Sequence, residues 1–229
     1  MSLPDISKFL TTHNGRDKFV RTLCYSTRLI STLISSERYA DSLNKISSEL
    51  SSVRTTLRLF DDIPMLNYTL TYGFGKQEED KVVRLLNVLT NAIDQTYYPI
   101  EHIAWAADHK LLTLDSNPWW VATSWCWVIS LYLGLIKYVR TLAILQRHKS
   151  CLNVVDCDIS VALAPLRAQQ KKEFLAMTRC IIDLVHAVHT LPEGFLWSGK
   201  LTRWQVALVG TISSLLGLYM AFPGKTKTS

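Results

Sequence analysis

The chain has 229 residues, 48% of them hydrophobic and only 19% charged, with a formal net charge of +6. A soluble domain usually carries about 25% charged residues. Nine Gly and seven Pro are too few for a fibrous or disordered chain. Five scattered cysteines (Cys24, Cys126, Cys151, Cys157, Cys180) make no disulfide framework and fit a reducing compartment. Met1-Ser2-Leu3-Pro4-Asp5 lacks the cationic start and apolar run of a secretory signal. Residues 1–118 hold 13 basic and 14 acidic side chains, residues 119–203 hold 10 and 5, and residues 204–229 hold 2 and none. The N-terminal half is thus near neutral, and the charge excess does not form the basic stripe of a nucleic-acid binder.

Taken in chain order, the first predicted element is a basic amphipathic helix over Asp17–Ser35, after a break at Asn14-Gly15. Phe19, Val20, Leu23, Ile30, Leu33 and Ile34 give it a broad apolar face. Arg16, Lys18, Arg21 and Arg28 oppose Asp17. Such a helix either lies in the headgroup plane of an anionic membrane or packs its stripe on other helices. In the first case Arg16, Lys18, Arg21 and Arg28 hold the surface while Phe19, Leu23 and Ile30 insert.

Residues 38–60 carry Tyr39, Leu43, Ile46, Leu50, Val53, Leu57 and Phe60 at alternating spacings of 4 and 3, an apolar seam over three heptads. A turn follows at Asp61-Asp62-Ile63-Pro64 and again at Tyr72-Gly73-Phe74-Gly75. Glu78-Glu79-Asp80 opens a third helix through Val82, Leu86, Leu89, Ile93 and Tyr97, interrupted or kinked at Pro99.

Two runs of 21 residues without a charge come next, 116–136 and 204–224. At 1.5 Å per residue each reaches roughly 30 Å, the depth of a bilayer core. Trp119, Trp120 and Trp204 stand near the run ends as interfacial anchors, and Trp125, Trp127 and Tyr219 add to the aromatic flanks. Gly210/Ser214 and Ser213/Gly217 are four apart, and these small residues let another helix approach. Between the spans, Phe174, Met177, Ile181, Leu184, Val188 and Leu191 repeat at helical spacing until Pro192-Glu193-Gly194. The basic residues of the connecting segment (Lys137, Arg140, Arg147, Lys149, Lys200, Arg203), set against Lys110, Lys225 and Lys227 outside, place that segment in the cytosol by a literal positive-inside reading. Two spans put both termini on one side.

Other chemistry is weakly signalled. Gly73-Phe74-Gly75 follows no strand and reads as a turn rather than a phosphate loop. Glu101-His102 and Asp108-His109 are sequence neighbours that point about 100° apart on a helix, so neither forms an aligned acid–base pair. His148, Cys151, Cys157, His186 and His189 match no closed zinc pattern. No nucleophile elbow or paired catalytic carboxylates are present, so neither an enzyme nor a cofactor is expected.

Gly15-Arg16-Asp17-Lys18 with Arg21 and Tyr25 resembles the opening motif of the peroxisomal membrane protein 11 family. Arg58-Leu59-Phe60-Asp61-Asp62, the stretch from Asp94-Gln95 through Tyr97-Tyr98-Pro99 and Glu101-His102 to Ala104-Trp105-Ala106-Ala107-Asp108, and Gly210-Thr211-Ile212-Ser213-Ser214 resemble its gamma type. The likeness runs from about residue 10 to 220 and is least over 145–170. It implies an all-α integral protein of the peroxisomal membrane with both termini cytosolic, against the literal charge rule. It also implies membrane lipids, homo- and hetero-oligomers and the fission machinery as partners, and no nucleic acid.

The expected organisation is a cytosolic amphipathic region 1–115, spans at 116–136 and 204–224, a connecting segment 137–203 and a short basic tail 225–229. The expected activity is membrane shaping by amphipathic-helix insertion and oligomerisation, promoting elongation, proliferation and fission of peroxisomes. The alternative is an oligomeric metabolite pore, against which stands the absence of an interior charge in either span.

Overall fold

The computed structural model describes residues 3–152 and 159–222, and among these every regular element is a helix. In order they are α1 (Leu3–Thr11), α2 (His13–Leu33), α3 (Glu37–Arg58), α4 (Asp62–Tyr72), α5 (Lys81–Asp108), α6 (Asn117–Leu152), α7 (Ile159–His189) and α8 (Arg203–Ala221). Cys157 and residues 223–229, with Lys225 and Lys227, lie outside the described residues.

Local chemistry accounts for the boundaries. Thr12 caps α2 by accepting from the Gly15 N–H, so the helix starts four residues before the expected Asp17 and absorbs Asn14-Gly15. Gly15 is required there, since a Cβ would lie 2.0 Å from the Phe9 carbonyl oxygen. Asp80 caps α5 through the N–H groups of Val82 and Val83, and the helix continues through Pro99 to Asp108. The stretch expected as a turn after Asp61 is helix α4. Its Pro64 falls in the first turn, where no intrahelical donor is needed. Gly73 and Gly75 then turn the chain with φ of 55° and 64°, as a turn rather than a phosphate loop. The predicted span 116–136 is the first part of a helix that runs on to Leu152.

Each helix lies antiparallel to the next in a row α3–α2–α8–α7–α6–α5. Cys24 meets Ser47, Tyr25 meets Gly210, Asp183 meets Ser213, Cys180 meets Leu131, and Asp80 meets Arg140. Arg58 and the Leu59 carbonyl reach Glu101 and His102, bringing α3 back against α5. The alternation has two consequences. The apolar helices α6 and α8 run parallel, with α7 returning between them. The Phe9 and Phe222 rings stack at 4.3 Å, so both ends of the described chain meet at one end of the bundle.

Burial is inverted in part of the molecule. Among the described residues, three of the four largest fully buried side chains are polar (Glu101, Ser47, Ser213), while Phe19, Leu23, Ile30, Ile46, Val53, Ile212 and Leu215 are exposed. A dry apolar centre does exist where Val128 of α6 meets Ala187, Val188 and Leu191, with Trp125, Trp127 and Trp197 around it.

Candidate functional site

The residues expected at the membrane surface divide into two sets on α2. Phe19, Leu23 and Ile30 stand outward at 41%, 41% and 48% exposure, with Leu33 beyond them, and Arg16 is exposed near the start. Arg21 points the other way. Its Nη2 donates to Asp183 Oδ1 at 2.6 Å and to Ser213 Oγ at 3.3 Å, and Ser213 Oγ donates to the same Asp183 oxygen at 2.5 Å. Arg179, one turn before Asp183, supplies a second cation at 3.4 Å. Arg21 is therefore committed to an interior ion pair joining α2, α7 and α8, which corrects its expected place at the membrane surface. Lys18 is half-buried. Burial and the nearby Arg179 lower its ammonium below the usual lysine range. Arg28 is also half-buried and lies 6.0 Å from the Tyr25 ring centre.

The small residues of α8 accept helices of the same chain. Gly210, Ser213, Ser214 and Gly217 are buried. A Cβ on Gly210 would lie 2.2 Å from the Tyr25 ring, and one on Gly217 would lie 3.2 Å from the Arg179 guanidinium. Close approach was the expected use of these positions, and the approaching elements are α2 and α7. Trp120 donates its indole N–H to Asp108, tying the end of α5 to the start of α6. Trp119 is half-buried at the start of α6, and Trp204 is exposed at the start of α8.

Helix α3 repeats the inversion. Its expected seam residues Tyr39, Ile46, Val53 and Phe60 are exposed. Ser47 instead meets Cys24, with its hydroxyl donating to the Cys24 carbonyl at 2.9 Å. Ser31 donates to Asn44 at 2.7 Å, and Arg54 Nε donates to Asp17 at 2.8 Å. Burial pushes the Asp17 carboxyl up, but Arg54, with Lys18 and Arg58 behind it, outweighs this and holds it below the usual carboxylate range. Asp41, Lys45 and Glu49 form an exposed charged strip on α3.

Sequence reasoning missed the acids that organise this interior. Glu101, set aside as half of an unaligned pair, is fully buried and accepts from Arg58 and from the Tyr97 hydroxyl. Burial pushes that hydroxyl above its ordinary range despite Arg58, so it keeps its proton and donates. His102 binds the carbonyls of Tyr98 and Leu59, a structural role. His186 packs edge-on to Tyr25 and Trp127. The available signal was an isolated acid within an apolar stretch, as in Cys180-Ile-Ile-Asp-Leu-Val. Among the described residues no group of three or more His, Cys, Asp or Glu is placed to hold a metal ion.

Among the described residues two helices are long and apolar enough to cross a membrane, Asn117–Cys151 and Arg203–Ala221. Only 11% of the most apolar stretch of the first is buried, so burial in a protein core does not explain its composition. Comparison with known proteins agrees with this character. No solved structure matches the chain. It is 40% identical to "Peroxisomal membrane protein 11C" of Homo sapiens over 96% of this chain and 94% of that protein. It is 39% identical to the Mus musculus protein of the same name over 94% and 92%. The family model for Peroxisomal biogenesis factor 11 matches residues 3–222. With apolar helices, nearly full-length likeness and a family model that covers almost every residue, the chain belongs to the Peroxisomal biogenesis factor 11 family.

Proposed function

We propose that this chain remodels the peroxisomal membrane, promoting its elongation, proliferation and fission, as a multi-pass protein with both termini in the cytosol. It acts with lipids, with further copies or relatives, and with the fission machinery. The observation that carries this reading is the apolar edge of α2, Phe19, Leu23 and Ile30, left exposed on a helix anchored to α8. The charged strip of α3 in the same hairpin suits an interface with water on one side. The stacking of Phe9 on Phe222 supports termini on one side, and because α6 and α8 run parallel, α7 crosses between them, so the connecting segment 137–203 is not confined to one side as the two-span organisation expects.

Magnitudes decide how α2 acts. Lifting it off α8 breaks the buried Arg21–Asp183 pair at a cost of about 3–5 kcal/mol. Phe19, Leu23 and Ile30 are already exposed while docked, so undocking gains them nothing. Lipid cover of the half-exposed edge contributes roughly 1 kcal/mol per residue in place. The shaping element is thus the docked hairpin: α2 runs antiparallel along α8, with Arg21 at Ser213 and Tyr25 at Gly210, so its apolar edge meets lipid on the flank of the bundle rather than lying flat in one leaflet. In cells, Leu23→Glu with Ile30→Glu should reach the peroxisome at normal abundance, since both positions are exposed, yet fail to elongate it. Normal elongation by this variant would reject a role for this edge.

A further inference from the structure

A half-open cleft of about 480 Å³ lies between α2, α3, α5 and α6, with Thr190 at the end of α7 also on its wall. Three arginines line it, Arg21, Arg54 and Arg58, against a single acid, Asp94. Each arginine is held from behind by one carboxylate through one nitrogen. Arg21 uses Nη2 on Asp183, Arg54 uses Nε on Asp17, and Arg58 uses Nη2 on Glu101. A guanidinium carries five N–H donors, so each keeps donors beyond those bonds. Arg58 Nε is buried with no hydrogen-bond partner. A buried donor without a partner costs free energy, and three guanidinium groups fixed on two adjacent helices, Arg21 on α2 with Arg54 and Arg58 on α3, are preorganised for an oxyanion.

The α6 wall has matching chemistry. Trp120, Thr123, Ser124, Trp127 and Ser130 recur at helical spacing along its apolar run and face this cavity, while Ile129, Tyr132 and Ile136 are exposed. A helix suited to cross a bilayer therefore lines the cleft with small hydroxylated residues, Thr123 and Ser124 donating to the Trp120 carbonyl of their own helix, and turns Ile129, Tyr132 and Ile136 outward. Polar groups at such depth are costly unless used, and a few hundred Å³ with convergent donors and aromatic walls suits a small ligand.

From this we infer an oxyanion-binding site between α2, α3, α5 and α6. Arg54 and Arg58 grip a phosphate or carboxylate group, Arg21 adds a third cation, and the Trp120 and Trp127 rings flank the rest of the ligand. The anion comes either from a lipid headgroup or from a water-soluble metabolite. The site is separate from the exposed edge of α2 and does not depend on the membrane-shaping reading.

The test uses the full chain in phosphatidylcholine nanodiscs and follows tryptophan fluorescence, because two tryptophans line the cavity. Inorganic phosphate or acetate is titrated at constant ionic strength against chloride. Phosphatidic acid is introduced by exchange from vesicles of phosphatidylcholine and phosphatidic acid. A saturable change with the soluble anions identifies a metabolite-type ligand; one with phosphatidic acid alone identifies a headgroup. Either outcome supports the site. Arg54→Gln should weaken binding roughly tenfold to a hundredfold. Ser124→Leu, which keeps every charge and fills the cavity, should also weaken it and carries the test alone if the arginine variant fails to insert. No saturable response to any of these anions, or an unchanged response in Ser124→Leu, overturns the proposal.

Discussion

Where α6 meets α7, the contact is apolar: Val128 lies among Ala187, Val188 and Leu191 under a cover of tryptophans. Where α2 meets α3 and α8, the contact is made of hydroxyls and charges: Ser47 on the Cys24 carbonyl, Arg54 on Asp17, Arg21 on Asp183 and Ser213. The first contact is non-directional and tolerates sliding. The second has a fixed register, because displacing α2 by one turn would strand a buried cation. The apolar residues of the hairpin are thereby freed for its outer surface, where water alone would make such a pattern unfavourable. The same chain thus holds one pair of helices by exclusion of water and another by matched polar groups.

The comparison breaks most sharply at Asp183. Asp183→Ala leaves Arg21, Arg179 and Ser213 without their acceptor, a loss of about 3–5 kcal/mol. The purified protein should melt earlier in detergent, and α2 should become open to protease. Exchanging the two charges, with Arg21→Asp and Asp183→Arg together, should recover part of the loss. An Asp183→Ala protein that melts like the parent would show that the polar contact does not hold α2. By contrast, Val188→Ala in the apolar contact should leave protease access to α2 unchanged.

A smaller effect belongs to Gly210. Gly210→Leu forces a side chain into the Tyr25 ring, and overpacking of this kind costs about 1–3 kcal/mol. Tyr25→Ala should relieve it. Crosslinking between cysteines placed on α2 and α8 should fall in Gly210→Leu and return in the double variant. If crosslinks between chains fall instead while the α2–α8 crosslink persists, the glycine serves an oligomer.

The smallest effect is one of pH. Asp17 has a folded value below its ordinary 3.8, so its pairing with Arg54 contributes fully above pH 3.8. That contribution is lost as pH falls through the lower folded value. Protection of the α3 amides near Arg54, taken relative to their intrinsic exchange rates, should fall at such pH and should stay constant between pH 5 and 8. Asp17→Asn should remove the acid dependence.

Much of the fold was legible in the sequence, and what stayed hidden has a physical cause. Periodicity identifies residues that share a face, and it found α2, α3, α5 and α7 with their apolar sides. It does not say whether that side meets a core or lipid. Tyr39, Ile46, Val53 and Phe60 satisfied the seam pattern yet lie outside, because Ser47 and Arg54 had partners waiting inside. The uncharged runs located α6 and α8, but Asp183 and Glu101 became visible as organisers only when distant segments met. Arg21 looked like its basic neighbours on α2, and only its acceptor, 162 residues away, separates it from Arg16. Helix α4 escaped notice because its aspartates and Pro64 are turn formers as well as helix starters.

The length of α6 has a mechanical meaning. Its 36 residues extend about 54 Å, against a hydrocarbon core of about 30 Å. When the apolar part lies across a bilayer, about 24 Å of continuous helix stands beyond it. A rod that long turns small changes of inclination into displacement: a tilt of about 20° moves its far end sideways by roughly 8 Å. In that placement any tilt that the contacts with α5 and α7 permit would be read at the outer end of α6, around Arg147, as the pointer of a gauge whose pivot lies at the membrane surface.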